Sequence, residues 1–186
     1  GPRGLVIGID QDSRTLANTR AKLSIYGEKV KFVQGNFRHL KMHLNQLGVA
    51  QVNGILFDLG VSSFQLDEGE RGFSYQQDAV LDMRMDPENP ISANDLVNQS
   101  SEEMLARIIR DYGEERWARR IAKFIVARRS QKPIMTTNEL VQVIKDAIPA
   151  SARRTGPHPA RRTFQALRIA VNDELKDLQE ALNQAI

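Results

Sequence analysis

The chain has 186 residues, of which 41% are hydrophobic and 26% are charged, as is usual for a folded globular protein. These proportions exclude a disordered or fibrous chain, and the length allows one domain with a core, or a small domain with an insertion. The net charge of +3 favours an anionic partner only weakly.

Cysteine is absent, which excludes disulfides, thiolate metal sites and a cysteine nucleophile. No apolar run approaches the roughly 20 residues needed to cross a bilayer. The segment Gly1–Gly4 leads into an apolar run without the pattern of a secretory signal. We therefore expect a cytoplasmic protein with no membrane span.

Short apolar runs alternate with helical patterns in the first third of the chain. The predicted strands are Leu5–Ile9, Val30–Val33 and Ile55–Phe57. Asp10 and Asp58 directly follow the first and third strands, and Asn36 lies three positions after the second. Helical spacing of apolar residues follows the first two strands, at 13–25 and 37–47. This alternation predicts an α/β fold with a parallel sheet, whose ligands bind beyond the carboxyl ends of the strands.

The rest of the chain is predicted to be mainly helical. Residues 59 to about 91 lack any period, and a loop of that length is usually functional. The predicted helices begin at a Ser100–Glu103 capping box, at Glu114, at a Thr136–Glu139 capping box, and after a connection at Ala150–Pro159. The last of these is one long helix with an apolar stripe that runs from Phe164 to Leu182.

Three residues at the strand ends are candidate ligand contacts. Asp10 ends the first strand, where a carboxylate can accept hydrogen bonds from ribose hydroxyls, although Asp10 or Asp12 can instead cap the next helix. Phe37 can pack against a base or form part of the core. Asp58 precedes a glycine and two serines, so it can contact a ligand or cap a turn.

Six motifs follow one another along the chain: Asp58–Ser63 (DLGVSS), Gln65–Asp67 (QLD), Glu70–Ser74 (ERGFS), Leu81–Asp86 (LDMRMD), Tyr112–Arg116 (YGEER) and Arg162–Arg168 (RTFQALR). In this order they resemble the family of S-adenosylmethionine-dependent enzymes that methylate the exocyclic N4 of a cytosine in bacterial 16S ribosomal RNA. The resemblance covers almost the whole chain.

The resemblance implies a class I, Rossmann-like methyltransferase domain, here partial, with an inserted all-α subdomain. It assigns residues 1–67 and 159–186 to the methyltransferase domain, and residues 68–158 to the helical insert that recognises RNA. In the family a glycine-glycine-histidine loop would precede residue 1, and a serine-phenylalanine-histidine strand would follow residue 186. We therefore expect the chain by itself to lack part of its site, which leaves open whether it is active alone.

The resemblance also implies roles for individual residues. Asp10 would bind the ribose of S-adenosylmethionine, Phe37 would lie beside the adenine, and Asp58 and Gln65 would make other cofactor contacts. Asp58 is the first candidate for the carboxylate beside the cytosine amine, and the loop Asp82–Asp86 is the second. No metal is expected, since the histidines show no ligand pattern.

A phosphate-binding surface is predicted near the last helix, because no acidic residue occurs between Asp146 and Asp173. Its candidate residues are Arg153, Arg154, Arg161, Arg162 and Arg168. Tyr75 and Phe73 are candidates for stacking on an extruded base, with core packing an equal alternative for Phe73.

The partner that the resemblance implies is small-subunit ribosomal RNA, or the assembled small subunit, at a cytosine near the decoding centre. The sequence leaves both a monomer and a homodimer open. The competing hypotheses are a nucleotide-dependent oxidoreductase, which the motifs after Asp58 argue against, and a non-catalytic RNA-binding module.

Overall fold

The computed structural model describes residues 4–154 and 156–186, and for Asp67 it describes the backbone only. The described residues form two compact units. The first, the sheet unit, comprises the residues up to Ser62 together with Asp173–Ile186, and the second, the helical unit, comprises Ser63–Asn172.

The elements are, in chain order, β1 (Val6–Asp10), α1 (Ser13–Lys22), β2 (Val30–Gln34), α2 (Leu40–Gln46), α3 (Ser63–Asp67), α4 (Ala93–Gln99), α5 (Glu102–Gly113), α6 (Ala118–Arg129), α7 (Thr137–Ala147), α8 (Ala150–Arg153), α9 (Arg161–Val171) and α10 (Glu174–Gln184). Short 3-10 segments lie at Ser24–Lys29, Phe37–His39 and Gly69–Arg71. Across the described residues, no helix has the length and apolar character that a membrane span requires.

The sheet unit is built on a parallel β-α-β arrangement. β1 pairs with β2, and the register places Asp10 opposite Gln34. The strands are rich in valine and isoleucine, whose branched Cβ atoms favour extended backbone. Because the strands are parallel, their polar carboxyl ends lie at the same edge of the sheet, as the sequence predicts.

Helix α1 begins where the sequence predicts and ends earlier than Ile25. The carboxylate of Asp12 is buried and accepts hydrogen bonds from the backbone N–H groups of Arg14 at 3.1 Å and Thr15 at 3.4 Å. These bonds satisfy amides that have no partner within the helix. After Lys22 the chain continues as a 3-10 segment with Gly27 at φ +51°.

The prediction of a third strand at 55–57 is wrong. Within the described residues the sheet is formed by β1 and β2 alone, and residues 55–57 belong to no strand. A strand needs a neighbour for its N–H and C=O groups, and no described strand supplies one here. Ile55 is 39% exposed and Leu56 is 91% exposed, so this apolar run does not lie in a core.

The helical unit holds most of the buried apolar side chains. Leu105, Ile109, Ile121, Ile125, Leu140, Ile144 and Leu167 are all fully buried. The pairs from α5, α6 and α7 are each four residues apart, which places both members on one face of the helix, and Leu167 comes from α9. The helix predicted after the Thr136–Glu139 capping box is confirmed as α7.

Two helix starts differ from the prediction. Residues 59 to 91 precede a helix, α4, that the sequence reading missed, and α4 opens with a capping box between Ser92 and Asp95. The cap of α5 is Ser101, whose hydroxyl accepts from Met104 N at 3.1 Å. The predicted cap, Ser100, instead donates its N–H to the end of α4 at the carbonyl of Leu96.

The helix predicted from Glu114 begins later, at Ala118. Glu114 adopts a left-handed conformation with φ +50° and caps the end of α5. The carboxylate of Glu115 then accepts a hydrogen bond from Trp117 N at 2.9 Å, which stabilises the turn before α6.

The single terminal helix is also wrong, because the chain breaks between α9 and α10. Asn172 ends α9, and Asp173 has a left-handed backbone with φ +50°. The apolar stripe is therefore buried on α9, as at Phe164, and half exposed on α10, where Leu175 is 50% exposed. A left-handed residue cannot continue a right-handed helix.

The two compact units divide at 62/63 and 172/173, whereas the family resemblance predicts functional domains that divide at 67/68 and 158/159. Helix α9 lies in the helical unit, where it packs against α4 and α5. The assignment of functions to the predicted domains stays a prediction.

The capping box of α7 should make the stability of the folded chain depend on pH. Glu139 accepts hydrogen bonds from Lys132 at 2.8 Å and from Met135 N at 2.7 Å, and these lower its pKa from 4.5 to about 2. Its stabilisation is thus complete above pH 4.5 and is lost as the pH falls toward 2. We expect Glu139→Gln to lower the free energy of unfolding by about 1 kcal/mol at pH 7, and by less at pH 3.

Urea unfolding at several pH values measures this difference. Glu102→Gln, which removes an exposed carboxylate from the first turn of α5, is the matched control. A loss from Glu139→Gln that stays constant between pH 7 and pH 3 would contradict the assignment.

Candidate functional site

The candidate ligand site is at the carboxyl edge of the sheet unit. Asp10 is the last residue of β1 and is half-buried, and its Oδ1 accepts a hydrogen bond from Asp12 N at 2.9 Å. Asp12, and not Asp10, is the cap of α1. Asp10 thus lies at the strand end where the sequence predicts a ligand contact, and the capping alternative belongs to Asp12.

A polar contact joins the segment after β2 to the segment after β1. Asn36 Nδ2 donates a hydrogen bond to Gln11 Oε1 at 3.1 Å, so the residues that follow the two strands are joined. The backbone shows the same proximity, because Gly35 N donates to the carbonyl of Asp10 at 2.9 Å.

Phe37 follows Asn36 and begins the 3-10 segment. Its ring is half-buried and meets the ring of Phe57 edge to face, with centroids 6.0 Å apart and planes at 68°. This geometry is favourable for aromatic pairs. The contact places the residue before Asp58 next to the end of β2.

Asp58 is exposed and lies in the loop after the unpaired run, where Gly60 has φ +109°. Asp10, Phe37 and Asp58 are thus all residues of the sheet unit. Gln65 belongs to the helical unit, where it lies on α3 and is 4% exposed.

The predicted arginines differ in what their side chains already bind. Arg153 Nε donates to the carbonyl of Ile148 at 3.0 Å, and Arg162 Nη1 donates to the carbonyl of Glu114 at 3.0 Å. Arg168 is half-buried on α9. The side chains of Arg154 and Arg161 are exposed and form no hydrogen bond or ion pair with the described residues.

The loop Leu81–Asp86 is a tightly held segment of the helical unit. Met83 is fully buried with φ +62°, an unusual conformation for a residue with a side chain. Asn172 holds it, because its side chain donates to the carbonyl of Met83 at 2.8 Å and accepts from Met85 N at 2.7 Å. Its burial and partners give this loop a structural role.

The carboxylate of Asp82 is fully engaged by a neighbour. Its two oxygens accept hydrogen bonds from Arg84 Nε at 2.7 Å and from Arg84 Nη2 at 2.9 Å. Partial burial acts to raise the pKa of Asp82, but the bonds to Arg84 outweigh it and lower that pKa. Such a bidentate pair leaves Asp82 less available than Asp58 for a ligand.

The two aromatic candidates of the long loop differ in burial and in their contacts. Phe73 is 6% exposed and packs in the core, with the guanidinium of Arg71 5.2 Å from its ring centroid. Tyr75 is half-buried and stacks on His158 at 4.7 Å with planes 8° apart. Burial, and next the charge of Lys145, lowers the pKa of His158, which favours the neutral imidazole in this stack.

Among residues 4–154 and 156–186, no three His, Asp or Glu side chains are grouped so that they could hold a metal ion. The candidate site is therefore one of carboxylates, amides and an aromatic ring.

Comparison with known proteins identifies the family. The model of the MraW methylase family matches residues 2–186. This chain belongs to the MraW methylase family. The resemblance seen in the six motifs is thereby confirmed at the level of the family.

Curated relatives of this MraW methylase chain carry the name ribosomal RNA small subunit methyltransferase H. The relative from Brevibacillus brevis is 59% identical over 183 residues, which are 98% of this chain and 58% of that protein. The relative from Heliobacterium modesticaldum is 57% identical over 185 residues, 99% of this chain and 59% of that protein. The chain thus spans less than three fifths of the relatives' length.

Sequence reasoning missed two polar residues of this MraW methylase chain. Asn172 holds the Leu81–Asp86 loop, and Asp177 on α10 receives a hydrogen bond from Asn36. A partial signal for Asp177 was present, since the residue lies on the same side of α10 as the apolar Ala181, four positions later. A carboxylate within an apolar helical stripe indicates a buried partner.

Gly113, in the YGEER motif of this MraW methylase chain, lies where α5 approaches α9 closely. A Cβ atom at Gly113 would lie 2.5 Å from the carbonyl oxygen of Arg162 and 3.1 Å from Ala166 Cβ. We therefore expect Gly113→Ala to lower the free energy of unfolding by about 2 kcal/mol, because α5 and α9 must separate.

The midpoint of urea unfolding measures this effect. Gly54→Ala is the control, since a Cβ atom there would have no neighbour within 4 Å. A Gly113→Ala variant as stable as the parent chain would show that the close approach of the two helices is unimportant.

Proposed function

We propose that this chain is part of an enzyme that transfers a methyl group from S-adenosylmethionine to the exocyclic N4 of a cytosine in 16S ribosomal RNA, near the decoding centre. The observation that carries the proposal is the identity of 57% to 59% with proteins named as small-subunit ribosomal RNA methyltransferases. The substrate is small-subunit RNA or the assembled small subunit, in the cytoplasm, and the protein acts as a monomer or a homodimer.

The residues at the sheet edge fit this cofactor. A carboxylate at the end of β1, that of Asp10, suits a ribose with two hydroxyls. The half-exposed ring of Phe37 offers a surface to the adenine, and the exposed Asp58 offers a second carboxylate. The family resemblance adds Gln65 to the proposed cofactor contacts. When bound, the cofactor supplies a methyl group already activated by a positive sulfur, so no metal is required.

Asp58 is the proposed catalytic residue. The lone pair of a cytosine amine is delocalised into the ring, so the amine is a poor nucleophile until it is oriented. A carboxylate that accepts a hydrogen bond from N4 orients the amine and stabilises the positive charge that develops on it. The exposure of Asp58, compared with the engaged carboxylate of Asp82, supports this choice.

The proposed division of labour places cofactor binding in the class I methyltransferase domain, residues 1–67 and 159–186, and RNA recognition in the insert, residues 68–158. The parallel β-α-β arrangement with polar strand ends supports the first assignment. The helical unit and its surface arginines support the second. Among the five predicted arginines, the proposed main phosphate contacts are the exposed Arg154, in the insert, and the exposed Arg161, just beyond its end.

The cofactor assignment is tested by calorimetric titration with S-adenosylmethionine. The proteins are this chain and a chimaera that carries the flanking segments of the Brevibacillus brevis relative at both ends. We expect the chimaera to bind, and Asp10→Ala and Asp58→Ala to weaken binding by about 10- to 100-fold each, the loss typical of a hydrogen bond to a charged group.

Asp146→Ala, at an exposed carboxylate on α7, is the control. A folded chimaera that does not bind the cofactor, yet binds small-subunit RNA, would support the non-catalytic RNA-binding module instead. Methylation at a different atom of the RNA, found by mass spectrometry of the digested product, would refute the N4 assignment alone.

The RNA assignment is tested by the salt dependence of binding. We expect the double variant Arg154→Ala with Arg161→Ala to bind an oligonucleotide of small-subunit RNA more weakly, and to lower the slope of log Kd against log salt by about 2. Fluorescence anisotropy between low and physiological salt gives this slope.

The control is Arg110→Ala, because Arg110 is exposed but forms an ion pair with Asp111 at 2.8 Å. An unchanged slope in the double variant would place the phosphate contacts elsewhere on the protein.

A further inference from the structure

The segment Asn36–Arg38, on both sides of Phe37, is held by α10. Asn36 Nδ2 donates a hydrogen bond to Asp177 Oδ2 in addition to its bond to Gln11. Its other amide atom, Oδ1, accepts from Arg38 N at 2.9 Å. The side chain of Asn36 therefore uses both its donor and its acceptor groups to fix its own segment.

Arg38 is held by the same helix through three residues. Its Nη1 lies 3.3 Å from Asp177 Oδ1, and its Nε and Nη2 donate to the two oxygens of Glu180 at 3.1 Å and 3.2 Å. Gln184 Nε2 donates to the carbonyl of Arg38. A bidentate guanidinium pair of this kind fixes orientation as well as distance.

The backbone beneath the segment is also fixed. His43 Nε2 donates to the carbonyl of Asn36 at 3.0 Å, and a Cβ atom at Gly35 would lie 2.6 Å from the ring of His43. The strand end therefore approaches α2 at a distance that only glycine permits.

Asp177 is the central residue of these contacts, because its carboxylate contacts the side chains of both Asn36 and Arg38. It is 2% exposed. Burial raises its pKa, against the hydrogen bond from Asn36 and the charge of Arg38. A buried carboxylate is costly unless donors surround it, so the donors must stay in place as long as Asp177 is buried.

We propose that Asp177 is a positioning residue of the cofactor site, which fixes the ring of Phe37 for packing against the adenine by holding Asn36 and Arg38, the residues on either side. This inference rests on the proposed function. Asp177 itself contacts no cofactor, and its effect on binding is transmitted through Phe37. The ring is then ordered before the cofactor arrives, so that binding does not have to order it.

A purely structural role for Asp177 would have a different consequence. Loss of the carboxylate would destabilise α10 and the sheet unit, yet the folded fraction would bind the cofactor as before. The two roles are distinguished by measurements on the folded protein, at concentrations of urea far below the unfolding midpoint.

The first measurement is the fluorine NMR shift of 4-fluorophenylalanine placed at position 37, in the whole chain without cofactor. We expect Asp177→Ala to move this shift toward the value of the free amino acid. Asp177→Asn, which keeps an oxygen for Asn36, should leave the shift close to that of the parent chain. Ala181→Gly, which weakens the same helix at a buried position without a polar contact, should do the same.

The second measurement is the Kd for S-adenosylmethionine in the chimaera. We expect Asp177→Ala to raise it about tenfold, the effect of losing a pre-ordered side chain, with RNA affinity unchanged. An unchanged fluorine shift in Asp177→Ala would overturn the positioning role, and so would an equal change in Ala181→Gly. If the parent chimaera does not bind the cofactor, the proposed function fails, while the fluorine shift still decides whether Asp177 positions Phe37.

Discussion

The division of the chain into a sheet unit and a helical unit depends on the side-chain amide of Asn172. It donates to the carbonyl of Met83 and accepts from Met85 N, so the end of α9 is tied to a loop that lies almost ninety positions earlier. Asp173 then turns the chain with a left-handed backbone. Because the helix cannot continue past this residue, α10 becomes part of the sheet unit and brings Asp177 to the end of β2. One local break thus supplies both units with a helix.

The features that the sequence predicts correctly are local ones. The Thr136–Glu139 capping box and the polar residues after the first two strands depend on neighbours within a few positions. The errors arise where distant partners decide. The run at 55–57 has strand composition and no described strand to pair with, and the stripe from Phe164 to Leu182 has helical spacing throughout, although Asn172 interrupts it. Neither a missing strand partner nor a tertiary amide contact changes the local pattern.

The same reasoning explains why counting basic residues overestimates the surface for an anion. Several guanidinium groups bind backbone carbonyls within the helical unit. Arg129 donates to the carbonyl of Val97 at 2.6 Å, and Arg71 donates to those of Arg84 and Met85 at 2.8 Å and 3.0 Å. These groups satisfy carbonyls at helix ends and in loops, where no backbone N–H is available. The fold therefore retains part of the positive charge for itself, and the remaining exposed arginines define the candidate RNA surface.

Asp177 illustrates why a site keeps a group that contributes little to stability. The free energy of burying its carboxylate largely offsets the attraction to Arg38, and a neutral apolar side chain of similar size would fill the space at no greater cost. An apolar side chain, however, would form no directional polar contacts. One carboxylate oxygen accepts a hydrogen bond from Asn36 and the other lies 3.3 Å from Arg38 Nη1, and these contacts weaken if the segment shifts by about 1 Å. The buried carboxylate thus adds little stability, but its directional contacts restrict the position of the segment that carries Phe37. Packing alone does not restrict a half-exposed aromatic ring in this way.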